Sequence, residues 1–370
     1  MLSYQHLYHA GNLADVHKHA ALAVMLLHYG IRGFGLNDHV SPLHFPALGP
    51  LVRYNYLGVN LFFIISGFVI LMSVQGRDLR GFAISRATRL YPAFWFCCTL
   101  TFLVILAFAR DEIHTSLPRY VLNLTMLNEL FGIGGIDGPY WTLLVEIKFY
   151  CMVAVLVALR QLGRMERYLG AWLAISAIYL VLPSRAVELL LIPGYSAYFI
   201  AGCLFYLMHK DGVSACRIVL LAASFVVAIA YDARILLDKW VWYGLPFSLA
   251  TLVMVIGAFY LFFLFMVLRK RPRPSRRSAV YLLLGTLSYP LYLLHNNIGM
   301  AIFINLYGHV NRYVLLAGTC LFMLALARVV HVQVEKRYAP VLRRMLKAAL
   351  YGCPRPQLGP VDAMTRGPHG

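Results

Sequence analysis

The sequence predicts an all-α fold: a polytopic bundle of about ten transmembrane helices with both termini in the cytoplasm. Three observations predict it. Hydrophobic residues fill 61% of the 370 positions and charged residues only 13%, a balance foreign to water-soluble domains of this length. The apolar residues fall in runs of about 15 or more, the scale of a helix crossing a bilayer core. The 33 lysines and arginines, which give a formal net charge of +18, sit in short clusters between those runs. That is the positive-inside pattern of a membrane protein and not the footprint of a nucleic-acid binder.

Taken in order, spans are predicted near residues 20–36, 55–75, 91–109, 140–159, 168–182, 191–208, 217–231, 241–268, 280–306 and 313–332. The first run, Ala20 to Gly35, is followed by no small-residue cleavage site, so it reads as a retained helix and not as a signal peptide. With the N-terminus inside, the even-numbered connections carry Arg77, Arg80, Arg86 and Arg89, then Arg160, Arg164 and Arg167, then Lys210 and Arg217, then the run Arg269 to Arg277. The outer connections hold far fewer cations, which sets the orientation. Cys97, Cys98, Cys151, Cys203 and Cys320 lie within apolar segments, form no CxxC pair and read as small packing residues. The chain divides into an atypical segment 1–19, a membrane domain 20–345 and a tail 346–370. From Cys353 the tail is polar and rich in Pro and Gly, a composition that buries no core and reads as disorder.

Ionisable and polar residues inside spans are costly and point to function: His28, Asn60, Glu146, Lys148, His295 and Arg328 qualify. At a rise of 1.5 Å per residue, His28 lies about 12 Å and His295 about 22 Å from the inner ends of their spans, and Glu146 about 9 Å from the outer end of its own. The expectation is one central cavity lined by all three. Two imidazoles and a carboxylate suit proton transfer at a reacting hydroxyl. A proton-coupled transporter uses the same residue types, so the pattern alone leaves both open. Gly58, Ser66 and Gly67 read as small residues that let helices approach.

The wording of the motifs goes further. Residues Ala20 to Tyr29 (AALAVMLLHY), Tyr56 to Phe68 (YLGVNLFFIISGF), Arg86 to Pro92 (RATRLYP), Trp141 to Tyr150 (WTLLVEIKFY) and Leu284 to His295 (LGTLSYPLYLLH) occur in the order of five motifs of the acyltransferase type 3 family, and Val334-Glu335-Lys336 is similar to its closing element. The resemblance covers about residues 20–345. It implies a membrane enzyme that moves an acyl group, usually acetyl from cytoplasmic acetyl-CoA or another acyl-CoA, to a hydroxyl of a sugar or glycolipid. His28, Glu146 and His295 are then the expected catalytic set, with His28 the general base, Glu146 orienting a histidine or the acceptor, and His295 orienting or binding. Arg86, Arg89 and Lys18 are the expected donor-phosphate contacts, and Asn60, Trp141, Tyr150 and Tyr289 the expected substrate contacts. No metal and no nucleic acid is expected; membrane lipid and a glycan acceptor are, in a bacterial-type inner membrane.

The chain also departs from that family. The cation usual eleven positions before the first-helix histidine is His17 here, with Lys18 beside it, and the acidic residue of its Gly-Val-Asp element is Asn60. Residues Met1 to His19 resemble instead the opening of ribosomal-RNA adenine N6-methyltransferases, although no glycine-rich cofactor loop follows. The rival readings are a flippase or transporter of a lipid-linked sugar and a catalytically impaired family member.

Overall fold

The computed structural model describes residues 19–31, 41–43, 45–236, 238–239, 246–269 and 287–352. Every regular element among them is helical. We label α1 His19–Gly30, α2 Gly58–Val74, α3 Leu79–Phe108, α4 Leu117–Asn123, α5 Trp141–Ala158, α6 Met165–Tyr179, α7 Arg185–Leu191, α8 Pro193–Asp211, α9 Ala215–Arg234, α10 Leu249–Leu268, α11 Ser288–Leu306, α12 Arg312–Val330 and α13 Lys336–Tyr351.

Seven stretches of the described residues are long and apolar enough to cross a membrane: Gly49–Val74, Leu79–Phe108, Gly138–Ala158, Arg185–Asp211, Ala215–Arg234, Leu249–Leu268 and Arg312–Tyr351. The chain is an integral, multi-pass membrane protein by this measure. The expected ten spans are thus not all met. Helix α6 is too short, at 15 residues. In α11 the run His295-Asn296-Asn297 interrupts an otherwise apolar helix. Helix α3 begins well before the predicted residue 91, because Asp78 caps it: its carboxylate accepts from the Gly81 N–H at 3.0 Å, so Arg80, Arg86 and Arg89 become helical. Ser214 and Ser248 cap α9 and α10 in the same way. At the far end α13 runs on to Tyr351, so residues 346–351 are helical; residues 353–370 lie outside the described set.

Two apolar bodies make up the core. One joins α2, α8, α9 and α10 with one side of α5 and α6; the other joins α1, α3, α11 and α12. Phe62 and Tyr150 pack against both, so they mark the seam. The first body is anchored by the crossing of α2 and α8, where the backbones nearly touch. A Cβ on Gly67 would sit 2.2 Å from the Phe199 carbonyl oxygen, and one on Gly202 2.0 Å from that of Ile64. Without a hydrophobic drive between helices in lipid, such glycine-enabled contact supplies much of the association. Arg217 of α9 ties the bundle at its basic end, donating to Glu166 at 2.6 and 2.8 Å and to the Leu207 carbonyl at 3.0 Å.

Candidate active site

The seam between the two bodies holds the histidines. His28 of α1 and His295 of α11 are both buried, with Nδ1 of the first 2.7 Å from Nε2 of the second and the ring planes within 6° of each other. The tautomers follow from the remaining partners. Nδ1 of His295 faces the Leu291 and Tyr292 carbonyl oxygens of its own helix, at 3.1 and 3.0 Å. Carbonyl oxygens only accept, so this nitrogen carries the proton and Nε2 offers a lone pair. In the neutral pair His28 therefore donates from Nδ1, and the basic nitrogen is His28 Nε2. One histidine is held as an acceptor, which leaves the lone pair of the neutral pair on the other.

Several contacts fix the stretch of α11 that carries His295. The Tyr29 hydroxyl donates to the His295 carbonyl oxygen at 2.5 Å, and only a glycine at 299 leaves room for it: a Cβ there would lie 2.2 Å from that hydroxyl. Asp137, buried before α5, accepts from Asn296 Nδ2 at 2.8 Å and from the Asn297 N–H at 3.1 Å, while Asn297 Nδ2 donates to the Ile136 carbonyl at 2.8 Å. The Tyr140 hydroxyl donates to the Leu293 carbonyl at 3.0 Å, and the Tyr292 and Thr142 hydroxyls are 2.8 Å apart. Segment 136–142 is thus stapled along α11 on both sides of the histidine.

His28 opens onto a cavity of about 250 Å³ whose polar lining comes from Tyr56, Asn60, Trp141, Tyr195, Asp232 and Lys239. Asn60 Nδ2 donates to Asp232 Oδ2 at 3.1 Å, and the Tyr198 hydroxyl donates to the same oxygen. Trp141 packs against Tyr195 with ring centroids 5.4 Å apart. Glu146 does not share this cavity. It lines a smaller one of about 50 Å³ with Phe62, Thr142, Tyr289 and others, and Tyr292 lines both. The two hollows are offset along α5, where Glu146 lies about 8 Å from Trp141, and they share Val59 and Tyr292 in their lining, with the Tyr292 ring packed edge-on against Phe62.

Beyond Glu146 the seam leads to cations. The carboxyl neighbours Ser66, Tyr150 and Arg86, and the Arg86 guanidinium lies 5.9 Å over the Tyr150 ring. Arg89 lies 5.1 Å over the Tyr289 ring and pairs with Glu335 at 2.9 Å. The other carboxylate oxygen of Glu335 meets His331 Nδ1 at 2.6 Å within a π-helical turn, His331–Glu335. Arg89 is thus paired with Glu335, whereas Arg86 has Glu146 as its carboxyl neighbour. Lys18 and His17 lie outside the described residues. Lys148, near Glu188, and the exposed Arg328 belong to neither cavity. Sequence reasoning missed Asp232 and Asp137. Asp137 stands directly before the Gly-Pro-Tyr-Trp turn into α5, a place where a carboxylate is easily taken for a cap; Asp232 sits in the last turn of an apolar span, and that position was the available signal.

A buried imidazole pair beside a polar cavity, enclosed in a helix bundle, has the geometry that acid–base chemistry needs. The comparisons name its kind. The acyltransferase type 3 sequence model, described as an acyltransferase domain, matches residues 19–331, and the chain belongs to that family: it is an acyltransferase for groups other than aminoacyl groups. It is 24% identical over 258 residues to ORF330 of Acidianus two-tailed virus, which carries an acetyltransferase name, covering 66% of this chain and 73% of that one. It is 27% identical over 148 residues to the acyltransferase MdmB of Streptomyces mycarofaciens, covering 38% of this chain and 37% of that one. No solved structure matches.

Proposed function

We propose that the protein is an O-acyltransferase of a bacterial-type inner membrane that takes an acyl group, typically acetyl, from cytoplasmic acyl-CoA and delivers it to a hydroxyl of a surface or secreted glycan. The observation that carries this reading is the 2.7 Å contact between His28 and His295, with His295 Nδ1 held by two carbonyl oxygens. The acceptor hydroxyl occupies the His28 cavity and gives its proton to Nε2 of His28 as its oxygen bonds to the thioester carbonyl carbon. The carbon–sulfur bond then breaks, and the imidazolium returns the proton to the leaving thiolate. A positioned base of this sort contributes a factor of about 10² to 10⁴.

The other residues divide the work. Trp141 and Tyr195 give the aromatic wall on which a sugar ring stacks, and Asp232 and Asn60 offer hydrogen-bonding groups to its hydroxyls. Asp232 also supports activity despite Asn60, because it brings a carboxylate from α9 to the place where the family's acidic residue is missing from α2. The acyl group approaches through the Glu146 cavity, which requires Tyr292 to turn aside, while Arg86 stands at the cationic approach.

Purified protein incubated with radiolabelled acetyl-CoA and membranes carrying glycan acceptors should release CoA and label glycan. Absence of both products under conditions where the protein remains folded would overturn the proposal, and a flippase would show glycan transport with no CoA release.

A further inference from the structure

A third concavity is larger than the His28 and Glu146 cavities and has no part in the chemistry above. A cleft of about 830 Å³ lies between the start of α3 and the last helix, α13, and its charged lining is Arg77, Arg343, Arg344 and Lys347. All four are exposed. Asp78, beside Arg77, is committed to the Tyr351 hydroxyl at 2.8 and 2.9 Å and to the Gly81 N–H. Arg77, in the turn before α3, and three cations of α13 line one hollow, an arrangement suited to an anion, since cations set only by membrane orientation have no need to converge. Tyr351 lines the same cleft, with the Arg80 guanidinium 5.8 Å over its ring.

The position of the cleft selects the anion. Gly81 on its floor is about 14 Å along α3 from Leu90. The Leu90 carbonyl accepts from the Tyr289 hydroxyl at 3.1 Å, and Tyr289 is about 9 Å along α11 from His295. A ligand seated in the cleft and reacting at the histidines therefore needs several negative charges at one end, a reactive group at the other and an arm of about 23 Å between them. We propose that this cleft seats the phosphates of the 3′-phosphonucleotide head of acyl-CoA, with the pantetheine arm following α3 and α11 past Arg86 and Tyr289 to the Glu146 cavity. The proposal rests on the reading of acyl-CoA as donor. The phosphate of an anionic lipid headgroup shares the chemistry but carries one charge and lacks the arm.

The test uses full-length protein in nanodiscs of zwitterionic lipid, with adenosine 3′,5′-bisphosphate as the binding probe and acetyl-CoA and acetyl-pantetheine as donors. Wild type should bind the bisphosphate, and Arg343→Ala, Arg344→Ala and Lys347→Ala, all at exposed positions, should each weaken it by about tenfold. The same variants should raise the KM for acetyl-CoA by a like factor while leaving turnover of acetyl-pantetheine, which has no nucleotide, unchanged. Unaltered KM for acetyl-CoA in all three variants, with wild type active, would overturn the cleft assignment and leave the function standing. Bisphosphate binding that depends on these cations, with no turnover of either donor, would instead overturn the function and leave a phosphate site. Should phosphatidylglycerol added to the nanodiscs displace the bisphosphate and the variants alter only that lipid's binding, the cleft is a headgroup site and the proposal is wrong.

Discussion

Replacing His295 by leucine separates two roles that the histidine pair otherwise keeps together. The change removes the Nε2 lone pair that accepts from His28 Nδ1 at 2.7 Å and leaves His28, 4% exposed, without that acceptor for its N–H. A buried donor deprived of its acceptor costs about 1–3 kcal/mol, and every 1.36 kcal/mol is a factor of about ten in rate. If that whole cost falls on the orientation of His28, His295→Leu should slow transfer by about 5- to 150-fold. His28→Ala removes the base itself and should slow it by about 10² to 10⁴. The double variant should be no slower than His28→Ala, because a residue that acts only by orienting another has nothing left to orient. The assay is release of labelled CoA and label on acceptor, at saturating substrates, normalised to folded protein by size-exclusion chromatography. The result that refutes the reasoning is the reverse order, with His295→Leu slower than His28→Ala, since that makes His295 the base.

Other parts of the site give further expected outcomes. Asp232→Ala withdraws the acceptor from Asn60 and Tyr198 and should raise the KM for acceptor more than it lowers kcat; a change confined to the KM for donor would place Asp232 elsewhere in the cycle. Gly299→Ala drives a methyl into the Tyr29 hydroxyl and ring carbons and should destabilise by about 1–3 kcal/mol, read as a lower melting temperature together with slower transfer; an unchanged melting temperature would show that the ring moves aside without cost. Asp137→Ala removes the carboxylate that accepts from Asn296 Nδ2 and the Asn297 N–H, leaving the Asn297 bond to the Ile136 carbonyl, and should reduce kcat with little change in either KM; equal activity would show that α11 needs no such brace.

The membrane class was legible because it depends on composition and run length, properties that no tertiary contact can change. The motifs placed His28, His295, Trp141 and Asn60 at one site, and the structure sets His28, Trp141 and Asn60 around one cavity with His295 directly behind. What distances along isolated helices do not contain is rotation and lateral offset, which is why Glu146 was assigned to the same chamber although it lines a separate hollow. The position of Asp232 in an apolar span was a signal, but its partner was not legible, because that lies in a contact with Asn60, 172 residues away. The start of α3 was misjudged because hydropathy stops at the first arginine, whereas a capped helix continues through Arg80, Arg86 and Arg89. Helix α13 was overlooked for a related reason: its cations hide an apolar stripe of Tyr338, Val341 and Met345 at helical spacing.

The ring of Tyr292 also bears on the membrane's electrical integrity. Polar cavities opening toward each other through a bundle would join into a water thread, and titratable groups along it would carry protons down their gradient. Tyr292, pinned to Thr142 and packed against Phe62, interrupts that thread between the compartment of Glu146 and the compartment of His28.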